Sequence, residues 1–110
     1  MSLPNADKAV VDLHKLKGYC LNTEHPRGKH KARVFQSALG LSATDADFLR
    51  EQLLHAALES PATVTARDEY GLRYMIDCEI EGERGTSTVR SLWIIRSGEE
   101  TPRLTTCFVL

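Results

Sequence analysis

At Thr63 the hydrophobic pattern of this chain changes period. Upstream, apolar residues recur at helical spacing; downstream they recur at every second position. The second pattern is clearest where Leu72, Tyr74, Ile76, Cys78 and Ile80 alternate with Arg73, Met75, Asp77, Glu79 and Glu81. Successive strand side chains point to opposite faces, so this segment predicts a strand with one face buried and one wet. Gly82-Glu83-Arg84-Gly85 supplies a tight turn into Thr86–Arg96, which is apolar on both faces around Leu92-Trp93-Ile94-Ile95 and therefore central. Ser97–Pro102 turns the chain into a last strand, Arg103–Leu110. Thr63–Arg67 pairs with Leu72–Glu81 across Asp68–Gly71.

Before Thr63, Gly28–Leu39 reads as a helix with Ala32, Phe35 and Leu39 on one stripe and Gly40 placed as its stop. Ser42 or Thr44 can cap a second helix, which holds Asp45 and Asp47 in its first turn and runs to about Glu59 before Pro61. Lys8–Leu13 reads as a short extended piece and His14–Tyr19 as a turn of helix. The fold class is α+β: two N-terminal helices packed on one face of a roughly four-stranded antiparallel meander, in a single domain over residues 1–110. The sheet's other face is left for water or a ligand.

No run approaches the roughly 18 apolar residues of a membrane span. The N-terminal MSLPNADKAVVDL also lacks the apolar stretch of a signal peptide, so a cytoplasmic protein with no membrane partner is expected. The three cysteines, Cys20, Cys78 and Cys107, show no C-x-x-C spacing, and reduced thiols fit best. Cys107 reads either as a nucleophile or, more simply, as a small strand hydrophobe. His14, His25, His30 and His55 form no metal-type spacing, so neither a metal nor another cofactor is expected.

The formal net charge is −1, yet six of the eighteen Lys, Arg and His residues fall between His25 and Arg33. Lys29 and Lys31 there stand at a helix start, where the dipole disfavours positive charge. Their placement points to a use beyond folding, against the plain alternative of a solvated helix entrance. If Val89, Ser91, Trp93 and Ile95 point inward, then Thr88, Arg90, Leu92, Ile94 and Arg96 point outward. On the last strand the same logic sends Leu104, Thr106, Phe108 and Leu110 inward, and Arg103, Thr105, Cys107 and Val109 outward. Arg90, Arg103 and Thr105 then share a face that the basic loop could border.

Metal-free RNA cleavage needs an acid, a base and cations around phosphorus. His30, Lys31, Arg90 and Thr105 supply catalytic residue types, and His25, Arg27, Lys29 and Arg103 supply substrate contacts. Each has a plainer role open to it. Arg90 can pair with Asp77 or Glu79 across strands, and Arg103 can guard a sheet edge. Trp93 reads as core rather than as a base-stacking platform.

The segments LPNADKAVVDLHKLKGYCLN, HPRGKHKARVF, ALGL, DEYGLRYMIDCEI and VRSLWIIRSGEETPRLTTCFVL together resemble an uncharacterised family of small bacterial proteins. That family is also similar to modules at the C-terminal tips of polymorphic toxins. The order of two helices and four strands looks like the barnase, colicin and RelE group of ribonuclease folds. The resemblance implies a metal-independent endoribonuclease, acting on RNA and paired with a small antitoxin encoded nearby. It carries over onto His30-Lys31, Arg90 and Leu104-Thr105-Thr106. One departure is that members acting on ribosome-bound RNA are often strongly basic, and this chain is not. The rival expectation is a non-enzymatic interaction module, its Arg103–Leu110 edge pairing with a partner strand or a second copy in a homodimer.

Overall fold

The computed structural model describes residues 1–110 as three helices followed by a four-stranded antiparallel sheet in the order β1-β2-β3-β4. Helix α1 is α-helical over Leu13–Lys15 and continues as a π-helical turn, Leu16–Cys20. Helix α2 is α-helical over Lys29–Val34 and π-helical over Phe35–Leu39. It stops at Gly40, whose φ of 73° lies in the left-handed region that a β-carbon disfavours. A 3-10 turn, Ala43–Asp45, leads into α3, Ala46–Glu59. The strands are β1 Thr63–Asp68, β2 Gly71–Gly82, β3 Gly85–Arg96 and β4 Pro102–Val109.

The α+β class and the meander agree with the sequence pattern; the helix count does not. The turn of helix expected at His14–Tyr19 is present as α1, which adds a third member to the helical layer and buries Leu16 and Cys20. Asp12 starts it by accepting the His14 N–H at 2.8 Å. At the head of α3 the Asp45 carboxylate accepts the Ser42 N–H at 2.9 Å, the acidic half of a capping box.

The helices bury one face of the sheet. Leu16, Phe35, Leu39, Leu49 and Leu53 meet Tyr74, Ile76, Ile80, Val89, Trp93, Leu104 and Cys107 in one cluster, and each large apolar side chain so buried contributes about 1.5–3 kcal/mol. Trp93 is core, as expected. Its indole N–H donates to Ser91 Oγ at 2.9 Å, and Ser91 Oγ donates to the Ile76 carbonyl at 3.2 Å. The buried Ser91 hydroxyl is thereby satisfied.

Pairing fixes which residues share the open face. Asp77, Arg90 and Phe108 form one row across β2, β3 and β4; Met75, Leu92 and Thr106 form the next; Arg73, Ile94 and Arg103 form the third. Ile94 lies between two arginines in its row and is only 7% exposed. The arginine stems can shield it while their heads stay wet.

One expectation about register is overturned. Trp93 pairs with Leu104 but Leu92 pairs with Thr106, so Thr105 is the extra residue of a β-bulge. Beyond the bulge the phase of β4 inverts. Cys107 and Val109, expected outward, stand opposite Ser91 and Val89 on the buried side; Thr106 and Phe108, expected inward, stand on the open side.

A second expectation, that the β4 edge is free to pair, fails over the first half of the strand. Val10 forms a parallel bridge with Arg103, donating its N–H to the Pro102 carbonyl and accepting from the Leu104 N–H. Lys15 Nζ then caps the Thr105 carbonyl at 3.1 Å. The open edge of the sheet is β1, all six residues of which are exposed.

Candidate functional site

The row Asp77–Arg90–Phe108 ends at a cation from the helical layer. Lys31 Nζ sits over the Phe108 ring, 4.3 Å from its centroid. Lys31 is the residue before buried Ala32 on α2, so it flanks the helix's core stripe and reaches the β4 edge. Cation–π attraction then holds the ammonium in place. At the other end Arg90 Nε and Nη2 donate to the two Asp77 carboxylate oxygens at 2.8 and 2.9 Å. The paired guanidinium keeps Asp77 below the ordinary carboxylate value, and Asp77 in turn raises Arg90. This is the cross-strand pair that the sequence offers as the plainer role of Arg90. It fixes the arginine's orientation and leaves Nη1 outside the pair.

The other sequence candidates are spread more widely. His30 is exposed and, two residues before Ala32, lies about 200° around the helix from the buried stripe, away from the row. His25 serves the loop. Its Nδ1 accepts the N–H groups of Arg27 and Gly28, each at 3.0 Å, and its ring stacks on Tyr19 at 4.7 Å. A nitrogen that accepts two donors carries no hydrogen of its own, which fixes the tautomer. Gly28 belongs to the same knot: a β-carbon there would lie 2.6 Å from Tyr19 Cδ1 and 2.8 Å from the Tyr19 carbonyl oxygen. Arg27 is exposed and Lys29 half-buried; neither forms an ion pair. Thr105 Oγ1 donates to the Leu92 carbonyl at 3.0 Å and stabilises the bulge. Arg103 Nε pairs with Glu99 at 3.2 Å, four residues back.

Of the proposed set, then, Lys31 and Arg90 share a row and Arg103 shares their strand region. Phe108, which joins the two, was missed because the bulge reverses its face. Nothing in Thr105-Thr106-Cys107 marks an extra residue by polarity.

Cys107 is 1% exposed and Cys20 2% exposed. The Cys107 thiol donates toward Cys20, which is lowered to about 6, while that same bond and burial push Cys107 well up. Cys107 behaves as a strand hydrophobe, since no reagent reaches it. No three His, Cys, Asp or Glu side chains converge as a metal-binding group would. A hollow of about 450 Å³ lies between Gly40–Leu41, Phe48 and the acidic Glu81–Glu83 hairpin, away from all these residues. No helix is long and apolar enough to cross a membrane.

The fold has a solved counterpart. A chain of the contact-dependent growth inhibition toxin–immunity protein complex from Klebsiella pneumoniae 342 superposes with a TM-score of 0.71, covering 93% of this chain and 100% of that one at 16% identity. At that identity the likeness is one of fold. No curated protein matches the sequence. A family model matches residues 2–110, and the chain therefore belongs to the family described as a domain of unknown function, DUF6883.

Proposed function

We propose that this chain is a metal-independent endoribonuclease-type toxin domain that grips RNA at the Lys31–Phe108–Arg90 row. The observation that carries the reading is a pair of pre-positioned cations on an open sheet face: Phe108 holds Lys31 and Asp77 holds Arg90. Cleavage by the 2′-hydroxyl passes through a phosphorane with added negative charge, and fixed positive groups stabilise it without reorganising. In that step the 2′-oxygen bonds to phosphorus and the 5′-oxygen leaves, giving a 2′,3′-cyclic phosphate. Lys31 Nζ protonates the leaving oxygen. The 2′-hydroxyl proton passes to solvent water, since both Asp77 oxygens are engaged by Arg90 and its carboxyl is lowered. Lys31 lies against Phe108, which pairs with Arg90 one strand spacing, about 5 Å, away, so both cations can reach one phosphate group.

The fold's likeness to a chain from a toxin–immunity complex supports a small protein partner that blocks the activity. The test is incubation of the purified chain with total cellular RNA in excess EDTA. Cleavage is expected. Lys31→Ala and Arg90→Ala should each lower its rate at least tenfold with unchanged circular dichroism. Wild-type rates in both variants, or no cleavage together with no growth arrest on expression, overturn the proposal.

A further inference from the structure

Where β3 ends and β4 begins, the chain closes a second hollow, of about 220 Å³, lined by Val10, Asp12, Lys15, Arg96, Arg103 and Leu104. Three cations face one carboxylate there, in a chain whose overall charge is −1. The cations come from separate elements. The Val10 bridge brings α1 and its Lys15 against β4, and the β3–β4 turn brings Arg96 beside Arg103.

Each cation is held or free in a way that leaves donors for a ligand. Lys15 spends one N–H on the Thr105 carbonyl and keeps two. Arg103 spends Nε on Glu99 and keeps both terminal nitrogens. Arg96 has no carboxylate within ion-pair distance. Asp12, the one lining carboxylate, turns an oxygen to the His14 N–H at the start of α1.

We propose that this hollow binds a phosphate monoester. Lysine offers a point charge and arginine a planar fork, the combination that grips phosphate oxygens. Size narrows the ligand. A hollow of about 220 Å³ has the volume of roughly seven waters and lies below the range of whole drug-sized ligands. It admits a phosphate and part of the group that carries it, with Val10 and Leu104 as the apolar wall. Arg103 stands five residues before Phe108, about 17 Å along β4, so this hollow and the Lys31 row are separate sites. The inference does not depend on RNA cleavage.

The test is a titration of the 15N-labelled chain followed by amide chemical shifts. The probes are inorganic phosphate, a 5′-phosphorylated trinucleotide and its 5′-hydroxyl counterpart, each against sodium chloride of equal ionic strength. Saturable shifts at Val10, Lys15, Arg96 and Arg103 are expected, with Arg96→Gln weakening that binding at least tenfold while any shifts at Arg90 and Phe108 persist. Arg96 is exposed and without an ion pair, so its replacement leaves the fold intact. A response to inorganic phosphate identifies a free anion as sufficient; a response to the phosphorylated trinucleotide alone identifies an RNA end. Shifts matched by chloride, or unaffected by Arg96→Gln, overturn the site.

Discussion

Arg90 and Asp77 each hold the other in its charged form, and this links one residue pair to the acid stability of the protein. Asp77 titrates below its ordinary 3.8 because the Arg90 guanidinium donates to it. At low pH the unfolded chain therefore binds a proton that the folded chain resists, and stability rises with pH through that range. The contribution is complete above about pH 4–5 and is lost as pH falls through the lowered value. Exposure of about a third of each side chain, together with salt, keeps it small. In Arg90→Ala the shift disappears. The urea midpoint of the wild type should exceed that of the variant at pH 7, and the gap should close toward about pH 2. A gap of equal size at both ends of the range would show that the pair does not hold Asp77 ionised. Since Arg90 is also assigned to RNA, the pH series separates its structural part from its part in cleavage.

At the scale of one strand, the bulge at Thr105 decides what β4 presents. It keeps Leu104 and Cys107 both in the core although they are three positions apart, a spacing that a regular strand would split between faces. Three changes probe this differently. Thr105→Val removes the bond to the Leu92 carbonyl and should cost about 1 kcal/mol in chemical denaturation. Deletion of Thr105 removes the extra residue and leaves Leu104, Thr106, Cys107 and Phe108 opposite the same β3 partners, in an unbroken ladder with the same faces. That variant should keep a cooperative thermal transition, whereas insertion of one residue after Thr106, which does turn Cys107 and Val109 out, should abolish it; loss of the transition in the deletion would show that the bend at the bulge is itself required. The same element marks where the sequence was legible. In β2, charge on one face and bulk on the other leave a single register. In β4, threonine, cysteine and valine fit either face, so periodicity could not place the extra residue. With the bulge went Phe108 and the reason Lys31 belongs to the site.

For the molecule as a whole, the layer order was legible from the change of period at Thr63, because each pattern must bury its own apolar side. The meeting of α2 with β4 was not, since it depends on how helices cross the sheet. The result is a divided surface. Lys15, Lys31, Arg90, Arg96 and Arg103 lie along or beside β4, whereas Asp45, Glu81 and Glu83 surround the hollow beyond the β2–β3 hairpin. A net charge of −1 thus conceals a short positive strip long enough for a few phosphates. Single-stranded RNA releases about 0.7 counterion per phosphate neutralised, so three or four contacts give a slope of about −2 to −3 in log K against log salt. Arg90 is partly neutralised by Asp77 and adds less than a free arginine. Fluorescence anisotropy of a labelled non-cleavable oligonucleotide over about 30–300 mM salt should return that slope, reduced by about 0.7 in Lys31→Ala. A slope steeper than about −5 would demand more cations than the strip holds, and RNA would then have to bind elsewhere. A slope near zero would mean that no phosphate is gripped, leaving the strip to a protein surface of opposite charge.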